Sequence, residues 1–238
     1  MTHNFMPEHD TIELRGLSDS DLPAIITVDG ESATGKTTQT ELIAHRLGYT
    51  NVTLGMLFCA GAIALERANI DPDNDSAVRA VLREADIDFT LRPGKTPLVS
   101  VDGRDVSDYL FDERNKQWAT KLNTVPEVVR NNELRLQQLA GSGHWVLDRG
   151  IRLFPDAELK IWLMASAYDR AVRRCGQLAL AGRYVPIAQI MEDNAVRTER
   201  NRENHRPPSD VVPVDTTNLD IEGVYSKICS LISDRRRA

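Results

Sequence analysis

A chain of 238 residues with a formal net charge of −6 is long enough to bury one sizeable core, and it is too acidic for a general nucleic-acid binder. No apolar run reaches membrane-spanning length. The three cysteines, Cys59, Cys175 and Cys229, are scattered without metal-type spacing or a disulfide framework, which points to a reducing, cytoplasmic setting.

Residues 1–20 are polar and acidic, unlike a secretory signal, and 1–22 reads as a flexible extension before the domain. A β-branched run at 24–28 predicts a buried parallel strand, and apolar spacing over 38–47 predicts a helix starting near Lys36. A second strand is expected at 51–54, a helix at 61–69, a polar loop at 71–75 and a helix at 76–85. Strand-like runs at 89–91 and 98–101 flank a Pro-Gly turn and predict a small antiparallel insertion. Residues 115–140 read as helix broken by Pro126. Core strands follow at 145–147, ending on Asp148, and at 159–163. Helices are expected over 168–180 and 186–201, then a strand at 211–214 and a helix at 221–232. Strands alternating with helices predict a parallel sheet covered on both faces, with ligands at the strand C-terminal ends.

The run GESATGKTT at 30–38 fits G-x-x-x-x-G-K-[ST] and sits between the first strand and the first helix, the setting a phosphate-binding loop requires. Gly30 and Gly35 free the backbone so that N–H groups around Ser32, Ala33, Thr34 and Thr38 can face one concavity. The helix N-terminus adds its positive dipole end. Lys36 is expected to bridge the β- and γ-phosphates of ATP, and the Thr37 hydroxyl to ligate Mg²⁺.

Four stretches give the chain a family resemblance. They are VDGESATGK at 28–36, VDGRDVS at 101–107, FPDAELKIWLMAS at 154–166 with DRAVRR at 169–174, and VDTTNLDIEGV at 214–224. After Pro23 the chain resembles bacterial cytidylate kinases over nearly its whole length. The resemblance implies a P-loop NTPase three-layer α/β fold with a five-stranded parallel sheet. It also implies a substrate-binding insertion over roughly 71–140 and a mobile arginine-rich lid over roughly 183–208. The donor would be ATP, the acceptor a small molecule, and a monomer is the favoured state. Arg170 and Arg174 stand where the family has arginines at the base of the lid. Arg197, Arg200, Arg202 and Arg206 cluster within it, and such cations suit the charge that spreads over the transferred phosphoryl group.

The acceptor side departs from the family pattern. Where the family has Asp-Ser-Gly-Ala-x-Tyr-Arg, this chain has TLGMLFC at 53–59, so Leu54 replaces a serine and Cys59 an arginine. Leu147 replaces the arginine before the retained Asp148. The arginine of a Pro-x-Val-Arg run falls on Val129, with Arg130 next to it, and the first lid arginine falls on Ala195. Groups suited to a base and sugar survive better. The family places a serine against cytosine at the position of Thr120 and lays its aspartate, here Asp148, against the base. Arg202 matches a lid arginine that reaches the nucleotide, and Glu199 replaces an aspartate near the ribose. Desolvating a phosphate dianion without its cations is costly. The expected acceptor is therefore a nucleoside-like or other small hydroxylated molecule and not ordinary CMP.

Two alternatives stay open: a monophosphate kinase acting on CMP, dCMP or a modified pyrimidine nucleotide, and a catalytically silent nucleotide-binding regulator. The Asp148-Arg149 pair also resembles the Asp/Glu-Arg pair of thymidylate and deoxynucleoside kinases. Arg149 could then replace the missing cation, and Asp148 could accept a proton from an attacking hydroxyl. The plainer readings are a turn cap for Asp148 and a surface ion pair for Arg149. His45 and His144 lack paired ligand spacing. Cys59 reads first as a small packed residue, and Trp118 as packing or a base-stacking surface.

Overall fold

The computed structural model describes residues 14, 18, 21–140, 143–180, 182–200 and 207–235, with side chains in the last helix before 201 described as far as Val196. In chain order the elements are β1 (Ile25–Gly30), α1 (Lys36–Leu47), β2 (Thr50–Thr53), α2 (Leu54–Arg67), α3 (Asp75–Glu84), β3 (Ile87–Thr90), β4 (Leu98–Val101) and β5 (Arg104–Asp105). They continue with α4 (Glu113–Leu122), α5 (Pro126–Leu139), β6 (Trp145–Asp148), β7 (Leu159–Met164), α6 (Ala167–Leu180), α7 (Ile187–Arg200), β8 (Val212–Asp215) and α8 (Ile221–Asp234). Five strands form one parallel sheet in the order β2-β6-β1-β7-β8. A separate antiparallel sheet joins β3, β4 and β5. The architecture is the α/β P-loop arrangement.

Strand alternation divides the core into two layers. Ile26 and Val28 of β1 and Val146 of β6 point into a cluster with Ile43 and Leu47 of α1 and Ile228 and Ile232 of α8. Trp145 and Leu147 point the other way, into a cluster built on α2 and the insertion, with Met56, Leu57, Val99 and Leu122. Elements between α2 and β6 thus share their apolar core with one face of the main sheet. Among the described residues no helix is long and apolar enough to cross a membrane.

Local differences from the sequence reading have physical causes. The second strand stops at Thr53, whose hydroxyl accepts a hydrogen bond from the Gly55 N–H (3.3 Å) and caps α2. That cap starts the helix at Leu54 instead of at 61, a stretch where Gly55 and Gly61 depress helix propensity. Pro126 occupies the first turn of α5 and starts a new helix, as its fixed φ favours. The VDGRDVS run closes a third antiparallel strand that alternation over two residues could not reveal. Within 1–22, most of which lies outside the described residues, Leu14 and Leu22 are buried in the α1/α8 layer.

Gly30 ends β1 with φ 137°, and a Cβ there would lie 2.1 Å from the Leu163 carbonyl oxygen of β7. The neighbour is backbone and cannot yield as a side chain could. Gly30→Ala is therefore expected to destabilise the fold by about 3 kcal/mol, a fall in thermal midpoint of roughly 6–10 °C, measurable by calorimetry.

Candidate active site

The parallel register brings three strand ends together. Val28 and Thr53 both lie opposite Asp148, so the ends of β1, β2 and β6 form one rim. The loop after β1 crosses that rim. Ala33 (φ 62°) and Gly35 (φ 99°) are left-handed, which turns successive N–H groups inward. Gly35 is the N-cap of α1, and no side chain caps that terminus, leaving its first N–H groups directed at the concavity. Thr34 is buried, and its hydroxyl donates to the Glu31 carbonyl (2.9 Å).

Lys36 is only 6% exposed, and its ammonium donates to the same Glu31 carbonyl (2.6 Å). Burial pulls its pKa down to about 8, against the opposing pull of the Asp148 carboxylate. The Thr37 hydroxyl donates to Asp148 Oδ2 (2.7 Å), while Asp148 Oδ1 is buried without a hydrogen-bond partner and lies 3.9 Å from Arg149 Nε. Arg149 turns the chain out of β6 with φ 66°, and its N–H donates to the Val28 carbonyl (3.0 Å). Its side chain is largely exposed. Lys36, Thr37, Asp148 and Arg149 thus meet at one end of the sheet, although more than a hundred residues separate the two pairs in sequence.

Several contributors were not evident in the sequence. Asp29 accepts from the Ile151 N–H (3.1 Å), and burial raises its carboxyl to about 6, with the nearby Asp148 charge adding to the rise. Its place at the end of the first strand, just before the loop, was the available signal. Glu31, inside the loop, lies 3.3 Å from Arg170 Nε. Arg173 ties α6 to the loop, donating to the carbonyls of Thr34 (3.4 Å), Thr216 (2.7 Å) and Leu219 (3.2 Å). Arg174, expected at the donor site with Arg170, instead donates to Gln177 (3.3 Å) on its own helix.

The expected acceptor residues are placed unevenly. Leu54 opens α2 beside the rim and packs against the core. Cys59 was expected to line the pocket, but it lies 2% exposed inside the apolar cluster. Burial there pushes its thiol up to about 11. Leu147 is 1% exposed in the same layer. Thr120 is on an exposed part of α4 with its hydroxyl donating to the Lys116 carbonyl (2.9 Å), and Arg130 is exposed on α5. Arg197, Glu199 and Arg200 belong to α7 beyond the described side chains, and Arg202 and Arg206 lie outside the described residues.

Oxygen donors suit a hard cation such as Mg²⁺. Two neighbouring carboxylates, Asp29 and Asp148, lie near the Lys36 ammonium and the largely exposed Arg149 guanidinium, and one Asp148 oxygen is buried without a hydrogen-bond partner. Those features fit a divalent ion held between Thr37 and Asp148. No group of three or more His, Cys, Asp or Glu side chains that could hold a metal ion occurs among the described residues.

The cytidylate kinase family model matches residues 26–234. A cytidylate kinase from Geobacter sulfurreducens is 34% identical over 222 residues, covering 90% of this chain and 94% of the relative. One from Stutzerimonas stutzeri is 33% identical over 223 residues, covering 89% and 96%. Among solved structures, TT1252 from Thermus thermophilus aligns over 90% of this chain and 98% of that one, with 15% identity and a TM-score of 0.47. With the phosphate loop, the Asp148 rim and the match over 26–234, the chain belongs to the cytidylate kinase family and is a P-loop phosphotransferase.

Proposed function

We propose that the protein transfers the γ-phosphoryl group of ATP to a pyrimidine nucleoside monophosphate of the CMP type, and that Arg149 supplies the acceptor-side cation missing at positions 59 and 147. The observation that carries this reading is the meeting of Lys36, Thr37, Asp148 and Arg149 at one rim. The family relatives, named cytidylate kinases, support the substrate class. An oxygen of the acceptor phosphate attacks the γ-phosphorus, the bond to the β–γ bridging oxygen breaks, and ADP leaves. Backbone N–H groups over 32–38 hold the donor phosphates, and Lys36 offsets charge on the moving group. Arg170, held near the loop by Glu31, and the lid residues Arg197, Arg200 and Arg202 would add further positive charge. Thr37 and Asp148 would hold Mg²⁺, which when bound neutralises phosphate charge. Thr120, Arg130, Asp148, Glu199 and Arg202 would meet the acceptor.

One observation favours a second reading. Cys59 and Leu147 are buried apolar-layer residues, and an uncharged nucleoside or other alcohol would need no cation from them. An ATP-consumption assay against CMP, dCMP, cytidine and a panel of small hydroxylated metabolites separates the two. Turnover of CMP is expected. Arg149→Ala is expected to raise its KM about tenfold or more, with a smaller change in kcat, because the lost ion pair serves binding more than chemistry. Turnover of cytidine without CMP would overturn the proposal in favour of the second reading. ATP binding without turnover of any acceptor would mark a silent regulator.

A further inference from the structure

The insertion holds a cavity of about 110 Å³ that lies between α2, α3 and α5, away from the phosphate loop. Its floor is apolar, formed by Leu57, Leu82, Ile87, Leu122 and Val128. Its mouth is not. Arg79, Arg83 and Arg135 surround it together with one carboxylate, Glu127, and the carboxamides of Asn131 and Asn132. The three guanidiniums therefore exceed the local negative charge by two. Their partnering is poor. Arg79 Nε lies 3.6 Å and Arg83 Nη2 4.0 Å from the same Glu127 carboxylate. Arg135 makes no hydrogen bond or ion pair among the described residues, although it is only partly exposed.

This place is separate from the acceptor rim. On α5, Glu133 pairs with Arg152 (2.8 Å) and Gln137 donates to the Leu153 carbonyl (2.7 Å). That face of the helix turns toward the loop after β6. Residues 128, 131 and 135 lie on the opposite face, as the helical period requires, and they line the cavity.

We propose that this cavity is a second ligand site, for a small organic anion with an apolar body of about one ring and a carboxylate or phosphate head. The body would occupy the Leu57–Leu122 floor. The head would meet Arg135 and Arg83, whose planar forks match either oxyanion. At about 110 Å³ the cavity is smaller than an apolar cavity of about 150 Å³ that takes benzene, so a ring would fill the floor and reach into the open, charged mouth. The site does not depend on which acceptor the kinase uses.

Titration of the full-length protein with benzoate and with phenyl phosphate, followed by amide NMR, tests the idea and distinguishes the two heads. Saturable shifts are expected at Gly61, Asn131 and Asn132, with Kd on the order of 1 mM for so small a probe. Arg135→Ala and the more exposed Arg83→Ala should each weaken binding about fivefold or more, and Lys36→Ala should not weaken it. The proposal is overturned if neither anion gives saturable shifts at these residues. It is equally overturned if benzyl alcohol binds as well as benzoate, if both arginine variants bind as the parent does, or if Lys36→Ala abolishes the response.

Discussion

Replacing Lys36 with alanine is expected to lower kcat for ATP-dependent phosphoryl transfer about a thousandfold, or about 4 kcal/mol of transition-state stabilisation, while leaving the thermal midpoint unchanged or higher. The asymmetry follows from burial. An ammonium 6% exposed, with a single carbonyl hydrogen bond and a pKa pulled down to about 8 by desolvation, costs the resting fold free energy that an incoming triphosphate recovers. Function and stability then pull in opposite directions at this residue. The pKa adds a signature. Below about pH 7 Lys36 is fully charged and ATP affinity should not depend on its titration. Above pH 8 the free protein holds it neutral, so binding must take up a proton, and affinity falls as pH rises. Calorimetric titration near pH 8.5 in two buffers of different ionisation enthalpy should reveal that uptake in the parent and none in Lys36→Ala. A variant that retained full kinase activity would remove the loop from the mechanism.

The second large effect is expected at Asp148. Asp148→Asn keeps the size of the side chain and can still accept from the Thr37 hydroxyl, now 2.7 Å from Oδ2. It removes the charge beside a buried, unsatisfied oxygen. A fall in kcat of about a hundredfold or more is expected, together with a shift of the Mg²⁺ dependence to higher concentration, because a neutral amide is a weaker ligand for a hard cation. For the fold, two effects oppose. The change relieves repulsion with Asp29, whose carboxyl the Asp148 charge helps to raise. It also removes the carboxylate that offsets the burial of Lys36, so the Lys36 pKa should fall further. Rates measured across a Mg²⁺ series at saturating ATP separate this role from one confined to the acceptor. If only the acceptor KM moved and the Mg²⁺ dependence did not, Asp148 would belong to base recognition alone, as the family resemblance implies.

Glu31 illustrates what a motif pattern hides. It falls on an unconstrained position of the phosphate loop, yet its backbone carbonyl receives both Lys36 and Thr34 and its carboxylate lies against Arg170. Arg173 and Arg174 are adjacent in sequence and equally basic. Only the phase of α6 sends Arg173 to the carbonyls of Thr34, Thr216 and Leu219 while Arg174 stays on its own helix. At Cys59 the lost family arginine was visible in the sequence, but its burial at 2% exposure was not.

The sequence by itself determined the strand-loop-helix at 24–47, the alternating α/β order and the family. Those features rest on local rules: glycine where φ must be positive, β-branched runs in buried strands, and a lysine and hydroxyl at fixed spacing from the loop. Tertiary structure alone decided the partnerships. Parallel register placed Val28 and Thr53 opposite Asp148 and so brought Thr37 to its carboxylate across 111 positions of chain. Alternation in β6 sent Leu147 into the apolar layer. Helices α3 and α5 each pack against α2, and the space between them leaves three arginines around a cavity with one carboxylate. Contacts between segments distant in sequence depend on how helices and strands pack, and no local spacing encodes that geometry.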